Sequence, residues 1–257
     1  GYFGTYSLKG LEPGQTYHFR IESLEPTRKA VSQHDAWRSG TIEVTGGPVK
    51  DAALSFTTDR VSNDDEAVYW VTPDGHDSNS GLSRESAWRT IQSAADRVGP
   101  GDTVLIAGGT YEEQMRVRAS GTSDAPITFR SAPGEQVILN AGEREASLGF
   151  DVSSKHYLHF DGMYFVGKCF RLYQSTNIHI TRMFSGRHSD AYAPALLYAD
   201  ECGELTLKNS VALSAKSGPY ILSCTGTLKI ENCVFSRNMI TQLSVNAVRG
   251  QKVTAVI

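Results

Sequence analysis

The sequence predicts an all-β fold, with a coil of stacked strands in its second half and a separate β-sheet domain before it. A phrase of alternating apolar residues recurs four times, at 157–160, 177–180, 204–207 and 227–230. Val253 opens a fifth copy, and successive copies are 20 to 27 residues apart. A period in this range, with one strand in each copy, is typical of a solenoid in which each coil packs only on its neighbours.

The composition supports a folded chain and argues against two classes of partner. The chain has 257 residues, of which 40% are hydrophobic, and a formal net charge of -3. This length can form one large domain or two ordinary domains with real cores. Because positive charge is not in excess, we expect no nucleic acid as a partner. No segment approaches the roughly 18 consecutive apolar residues of a transmembrane helix, so we expect no membrane insertion.

Both ends of the chain predict that it is part of a longer protein. It opens with Gly1-Tyr2-Phe3-Gly4, without an initiator methionine or the basic and apolar regions of a leader. Its last predicted strand, 252–257, stops within a copy of the repeated phrase. We therefore expect further sequence upstream and more coils downstream.

Residues 1–60 are predicted to contain strands at 5–8, 17–21 and 53–58. Before the second strand, the phrase Leu11-Glu12-Pro13-Gly14-Gln15-Thr16-Tyr17 places proline and glycine where antiparallel strands reverse. With the closing Ser55-Phe56-Thr57-Thr58, this pattern resembles the end of a fibronectin type III module.

That resemblance implies a β-sandwich in which Tyr17 is the corner tyrosine. Because a complete sandwich needs about seven strands, only part of a module is expected. Residues 25–50 fit the module poorly and are predicted to form a long loop or an added hairpin, and residues 61–67 a polar linker.

The second domain is predicted to span residues 68–257 and to open with a strand at 68–71. Ser86 is predicted to cap a helix that runs to about Val98, before Gly99-Pro100-Gly101 stops it. The helix would carry one apolar stripe, formed by Trp88, Ile91, Ala95 and Val98.

Five motifs in this opening resemble right-handed parallel β-helix proteins of the pectin lyase-like superfamily, which includes chondroitinase-B-like polysaccharide lyases. The motifs are Tyr69-Trp70-Val71-x-Pro73-x-Gly75-x-Asp77, Trp88-Arg89-Thr90-Ile91-Gln92-x-Ala94, Pro100-Gly101-Asp102-Thr103-Val104, Gly109-Thr110-Tyr111 and Ala125-Pro126-Ile127-Thr128-Phe129. The resemblance implies three strands in each coil, an N-terminal helix that caps the coil, and polysaccharide bound on the outward face of the first strands. It also implies a secreted or cell-surface protein and allows calcium as a cofactor.

In this framework the repeated phrase is the second strand of each coil. Counting back six and eight residues gives the inward positions of the first strands, which are Phe150, Val152, Phe170 and Leu172. Because strand side chains alternate, the residues between these positions and directly after them point outward. Asp151 is then one rung from Arg171, and Ser153 one rung from Tyr173. A shifted turn in the next coil places Leu196 beside Arg171 and Tyr198 beside Tyr173.

These outward residues have the chemistry of a polysaccharide site. Tyr173 and Tyr198 can stack on sugar faces, and Arg171 can pair with a uronate carboxylate. Asp151 can orient either group or hold a cation. The alternative is a surface ion pair of Asp151 and Arg171, with two tyrosines that only cover apolar rungs.

The long turn at 185–192 supplies His188 and Asp190 as catalytic candidates, and the corresponding turn one coil later supplies Lys216. None lies in the sequence context of a known catalytic triad. We expect Asn209 and Asn232 to form a two-rung asparagine ladder. The four cysteines lack metal-site spacing, and Cys202 and Cys224 are open to two interpretations, an inter-coil disulfide or buried free thiols.

Two functions remain open. The first is a secreted enzyme, for which a lyase of uronate-containing polysaccharide is favoured over a glycoside hydrolase, because the acidic residues show no convergence on the predicted face. The second is a non-catalytic, extracellular or cell-surface glycan-binding or structural protein. In both cases we expect a monomer.

Overall fold

The structure is a computed structural model. It describes three strands in the first 60 residues, and then residues 67–140, 147–186, 196–213, 219–236, 243–247 and 253–256. The chain divides into two compact units, 1–64 and 65–257.

The first unit contains a three-stranded antiparallel sheet with the order β2-β1-β3. Its strands are β1 (Thr16–Glu22), β2 (Thr41–Gly46) and β3 (Leu54–Thr57). Two of them coincide with predicted strands, while β2 lies within the stretch predicted as a long loop or an added hairpin. The predicted strand at 5–8 lies outside the described residues. The partial fibronectin module, with its corner tyrosine, stays a prediction.

The second unit is a parallel β-helix whose strands form three parallel sheets. The first sheet contains β7 (Met115–Arg116), β10 (Ser147–Ser153), β13 (Lys168–Tyr173), β16 (Leu197–Asp200), β19 (Tyr220–Cys224) and β22 (Ser244–Ala247). The second contains β4 (Val68–Val71), β5 (Thr103–Ile106), β8 (Ile127–Ser131), β11 (His156–Asp161), β14 (Thr176–Thr181), β17 (Leu205–Lys208), β20 (Gly226–Glu231) and β23 (Val253–Val256). The third contains β6 (Gly109–Tyr111), β9 (Val137–Asn140), β12 (Met163–Val166), β15 (Phe184–Gly186), β18 (Val211–Leu213) and β21 (Val234–Ser236).

The repeated phrase forms the second sheet, as predicted. Leu158, Ile178, Leu205 and Leu228 align in one column across β11, β14, β17 and β20. The predicted fifth copy exists as β23. The register predicted for it is wrong by two residues, because Ala255 rather than Val253 aligns with Leu228. The distance along the sequence between copies does not reveal how many residues the intervening turns use.

The interior of the coil is apolar and rich in aromatic rings. The predicted inward residues Phe150, Val152, Phe170 and Leu172 are at most 1% exposed, which confirms their direction. Phe160 stacks on Phe129 of the preceding rung with ring centroids 5.6 Å apart, and meets Phe170 edge-on at 4.7 Å. The core is therefore continuous from rung to rung.

The helix α1 (Ile91–Ala95) is shorter than predicted and has a different cap. Its N-cap is Thr90, whose hydroxyl accepts a hydrogen bond from the Ser93 amide at 3.1 Å. The Glu113 carboxylate accepts two further bonds from the first amides of the helix, at 2.8 and 2.9 Å. The prediction that Ser86 caps the helix is wrong, because its hydroxyl bonds to serines of the preceding turn.

The predicted apolar stripe of this segment is buried, with no member more than 4% exposed. Its role in sealing the end of the coil stays a prediction. Among the described residues, no helix has the length and apolar character needed to span a bilayer.

The turns that leave the second sheet share a left-handed backbone residue. The φ angles are 80° at Gly162, 50° at Arg182 and Asn209, and 51° at Asn232. Asparagine tolerates this conformation better than most residues, and glycine adopts it without strain. The Asn232 amide also donates a hydrogen bond to Asn209 Oδ1 at 3.3 Å, so the predicted asparagine ladder is confirmed.

Candidate functional site

The outward side chains of the first sheet form a surface that we call the binding face, with two columns that run across the rungs. The long column contains Arg116, Asp151, Arg171, Tyr198 and Tyr220, each in register with the next. The short column contains Ser153, Tyr173 and Asp200. Adjacent members are on neighbouring strands, about 4.8 Å apart. Acidic, basic and aromatic groups are thus brought together along one face of the coil.

The predicted neighbours on the first two rungs of this face are confirmed, since Asp151 pairs with Arg171 and Ser153 with Tyr173. The prediction for the next rung is wrong by two residues. Tyr198 does point outward, but it lies beside Arg171, while Asp200 takes the place beside Tyr173. Leu196, predicted to be outward, is 1% exposed and belongs to the core.

The reason for this error is the turn between β15 and β16. Alternation fixes which residues of a strand point outward, but it is unchanged by a shift of two residues. The length of the preceding turn sets that shift, and the sequence carries no signal for it. The direction of Tyr198 was therefore predictable, whereas its neighbour was not.

Asp151 is buried within the face and is held by two groups. Asp151 is 6% exposed, and its Oδ1 accepts a hydrogen bond from the Ser153 hydroxyl at 2.9 Å. Its Oδ2 lies 3.3 Å from Nη2 of Arg116, which is on the preceding rung and largely exposed. The carboxylate is therefore in a fixed position between two arginine rungs, and its ion-pair partner is Arg116.

The arginine and tyrosines provide a charged group beside an aromatic surface. The Arg171 guanidinium carbon lies 5.9 Å from the ring centroid of Tyr173, within the range of a cation–π contact. The rings of Tyr198 and Tyr220 are nearly parallel, at an interplanar angle of 9° and a centroid distance of 6.1 Å. The two half-buried rings are therefore stacked on each other across adjacent rungs of the face.

Sequence reasoning missed Arg116, Tyr220 and Asp200. Strand β7 has only two residues, too few to show alternation, so nothing in the sequence marked Arg116 as outward. Tyr220 did have a signal, because it precedes the buried Ile221 as Tyr198 precedes the buried Ala199.

The three catalytic candidates His188, Asp190 and Lys216 lie outside the described residues. The described part of the chain contains no group of three or more histidine, cysteine, aspartate or glutamate residues suited to hold a metal ion. Asp151, the predicted cation ligand, is engaged by Arg116 and Ser153. Calcium as a cofactor stays a prediction.

Comparison with known families supports the architecture. A family model described as Pel9A-like, right handed beta helix region, matches residues 69–191, which is just under half of the chain. The parallel sheets of the second unit and this match fit a right-handed parallel β-helix.

Three curated proteins are similar over part of the chain. The uncharacterized protein YwoF of Bacillus subtilis is 32% identical over 46% of this chain and 26% of its own length. Pectate lyase PEL9 of Emericella nidulans is 36% identical over 30% of this chain and 19% of its own length. Alpha-1,3-galactosidase A of Akkermansia muciniphila is 29% identical over 36% of this chain and 16% of its own length. The chain thus spans about a quarter or less of the length of the curated relatives it matches.

Two solved structures superpose on part of this chain. A rhamnogalacturonan lyase superposes with a TM-score of 0.48 at 14% identity, covering 74% of this chain and 65% of the lyase. The pectate lyase Pel9A superposes with a TM-score of 0.45 at 21% identity, covering 67% of this chain and 54% of Pel9A.

Proposed function

We propose that this chain is part of a carbohydrate-active protein that binds uronate-containing polysaccharide along the binding face. The long column of Arg116, Asp151, Arg171, Tyr198 and Tyr220 on consecutive rungs carries the proposal. The similarity to a protein named pectate lyase supports a polyuronate as the ligand. Secretion or a cell-surface location, and a monomeric state, belong to the same proposal.

The geometry of the column suits a linear, charged polymer. A polysaccharide that lies along the coil axis meets a new side chain about every 4.8 Å, the spacing of neighbouring strands. The Arg171 guanidinium can pair with a carboxylate through two parallel hydrogen bonds. Tyr198 and Tyr220 offer ring surface to the apolar faces of the next sugars. Asp151 offsets the charge of one arginine, so the other can bind an anion.

The favoured reaction is β-elimination. The carbon next to the uronate carboxylate loses a proton to a base, its electrons form a carbon–carbon double bond, and the bond to the next sugar breaks. A cationic group at the carboxylate stabilises the negative charge that develops. In our proposal Arg171 has that role, and the base is one of His188, Asp190 and Lys216.

A non-catalytic glycan-binding protein is the second candidate, and one observation favours it. Among the residues of the two columns, the basic side chains are Arg116 and Arg171, with no lysine or histidine. Arginine is almost always protonated and is a poor base at neutral pH. A glycoside hydrolase has less support, because it needs two carboxylates across the glycosidic bond, and Asp151 is held by Arg116.

Binding is tested by titrating the chain with polygalacturonate and with a neutral glucan. We expect Arg171→Ala to weaken binding to polygalacturonate by about tenfold, because a charge-assisted pair is lost. Tyr198→Ala should weaken binding to polygalacturonate and to the neutral glucan alike, because the stacking of a sugar on an aromatic ring does not depend on charge. Arg89→Ala removes an exposed arginine outside the face and serves as the matched control. Equal affinities for the chain and its Arg171 variant would rule out the proposed site.

Catalysis is tested separately. The chain is incubated with polygalacturonate, alginate and glycosaminoglycans, and the absorbance of unsaturated uronates is followed at about 235 nm. A rise that His188→Ala, Asp190→Ala or Lys216→Ala abolishes identifies the base. Binding without any rise would support the non-catalytic candidate.

A further inference from the structure

Two of the four cysteines meet inside the coil. Cys202 follows β16, and Cys224 is the last residue of β19, on the next rung. Both are buried, with 1% and 4% of their surface exposed. They are not part of the binding face, since both are buried at the end of the first sheet.

The register places the two residues directly opposite each other. Asp200 pairs with Leu222, and beyond this pair the Thr225 amide donates a hydrogen bond to the Cys202 carbonyl at 2.8 Å. This bond shows that the register of the Asp200–Leu222 pair continues beyond the strands, so Cys202 lies across from Cys224. Neighbouring strands are about 4.8 Å apart, within the roughly 4.4–6.8 Å that a disulfide needs between its Cα atoms.

The same backbone turn directs both side chains inward. Glu201 and Ser223, the residues just before the two cysteines, have φ angles of 52° and 48°. Because this left-handed conformation is shared, the next side chain points the same way in each rung. One coil earlier Ser175 occupies the same position, as its carbonyl accepts from the Gly203 amide at 2.9 Å.

The two thiols interact directly with each other. Contact with the Cys224 thiol, together with burial, raises the pKa of Cys202. The same contact lowers the pKa of Cys224, whose sulfur accepts the hydrogen bond. Cys202 Sγ also lies 3.3 Å from the Asp200 carbonyl oxygen. In this arrangement the sulfurs are adjacent and one of them is more readily deprotonated.

We propose that Cys202 and Cys224 are an oxidation site that forms a disulfide between adjacent coils on reaction with a small oxidant such as hydrogen peroxide. The Cys224 thiolate attacks one peroxide oxygen, which breaks the oxygen–oxygen bond, releases hydroxide and leaves Cys224 as a sulfenic acid. The Cys202 sulfur then attacks Cys224 Sγ and loses its proton, and the sulfenic oxygen leaves as water. The two thiols lose two protons and two electrons in total, and the peroxide is reduced to two water molecules.

Mass spectrometry tests the site. The native chain is incubated with hydrogen peroxide, denatured, alkylated and digested, in parallel with a sample kept in dithiothreitol. We expect a linked peptide pair containing Cys202 and Cys224, and two alkylated thiols in place of four. A chain in which all four cysteines are alkylated, or one linked through another pair, would overturn the proposal.

Cys233 provides the matched control. Its thiol is partly buried one turn further along, with backbone carbonyl oxygens of Leu207 and Glu231 3.5 and 3.3 Å away. Cys233→Ala should leave the linked peptide unchanged, whereas Cys202→Ala should abolish it.

Thermal unfolding gives a second readout. Closing a loop of one coil should raise the Tm of the oxidised chain by roughly 6–12 °C over the reduced chain. The same difference is expected in Cys233→Ala and none in Cys202→Ala. A Tm that oxidation leaves unchanged in every variant would contradict the cross-link.

Discussion

At the scale of single residues, the imidazoles of His159 and His179 form a stacked pair on the outward side of the second sheet. Their ring centroids are 4.6 Å apart and their planes differ by 19°. Burial lowers the pKa of both rings from the ordinary value of 6.5, and a positive neighbour adds to the effect in each case. That neighbour is His179 for His159, and Lys229 for His179. The folded chain therefore favours the neutral form of both rings.

We predict that this pair makes the chain less stable in mild acid. Because the pKa of each ring is lower in the folded than in the unfolded state, the unfolded state binds more protons below pH 6.5. The stabilising contribution is complete above that pH and is lost as the pH falls through the folded pKa. Thermal unfolding between about pH 7.5 and about pH 5 measures the loss.

Two variants isolate the pair from other titrating groups. His159→Gln should reduce the fall in Tm over this pH range, since one ring can no longer take up a proton. His156→Gln, a change at an exposed histidine three residues earlier, is the control and should leave the fall unchanged. Identical pH profiles for the chain and His159→Gln would show that the stacked rings are not responsible.

The candidate site was predictable residue by residue only where alternation could be counted from a neighbouring second strand. Asp151, Arg171 and Tyr173 were placed correctly for this reason. Arg116 lies in a two-residue strand and follows acidic and amide side chains, which give no period. Its ion pair with Asp151 could not be predicted, because the two residues are far apart in sequence and joined only by the register of the coil.

At the scale of structural elements, the turn after the second sheet repeats one backbone conformation with different residues. Gly162, Arg182, Asn209 and Asn232 all have a positive φ angle there. For a residue with a Cβ atom, this conformation costs about 1–2 kcal/mol, less for asparagine. The turn is thus a position where the backbone, more than the side chain, determines which substitutions are tolerated.

We predict a larger loss of stability for Asn209→Ala than for Asn209→Gly. Asn209→Ala should lower the free energy of unfolding by about 1–2 kcal/mol, because alanine is strained at this φ angle and the bond from Asn232 is lost. Asn209→Gly loses the same bond but relieves the strain, as Gly162 does in its own coil. Chemical denaturation of both variants measures the difference. Equal losses would indicate that the side-chain bond, and not the backbone angle, stabilises the turn.

Element boundaries were predicted less well than element types. The helix has an apolar stripe that the sequence displays, but its start is determined by Glu113 and Thr90 rather than by the nearest serine. A carboxylate that reaches the helix from about twenty residues away leaves no local pattern. The fifth copy of the repeat shows the same limitation, since Val253 is the obvious apolar residue and yet aligns with Gly226.

At the scale of the whole molecule, the core of the coil is continuous and contains one connected column of aromatic rings among its aliphatic side chains. Phe150 meets Phe160, Phe165 and Phe170 at ring-centroid distances of 5.4 to 5.7 Å. Phe160 in turn stacks on Phe129 of the preceding rung. Because each coil packs mainly on its neighbours, damage in this column should spread along the coil axis and fade with distance.

We predict that Phe160→Ala destabilises the chain by about 3–5 kcal/mol, the cost of removing a buried aromatic side chain and leaving a cavity. Hydrogen exchange followed by mass spectrometry should show faster exchange in β8, β11 and β14, and little change in β20. Leu228→Ala, in β20, is the matched variant and should affect the later rungs instead. A uniform increase over all rungs in both variants would show that the coil unfolds as a single unit.

The architecture as a whole was the most predictable level. A repeated phrase with regular spacing requires neighbouring coils to bury each other, and the second sheet follows it residue for residue from Leu158 to Ile230. What spacing cannot supply is the number of residues in each turn, and both register errors come from turns of unequal length. The binding partner is harder to predict from the sequence than the fold, because the arrangement of the binding face depends on those registers.

The register between β11 and β14 also makes one coil a module for protein engineering. Leu158 aligns with Ile178, so the segment 158–177 begins and ends at equivalent points of the repeat. A second copy inserted after residue 177 would therefore lengthen the coil by one rung without changing the parity of any strand. The insertion would also duplicate Arg171 and Tyr173, and the length of the binding face could be varied in steps of about 4.8 Å.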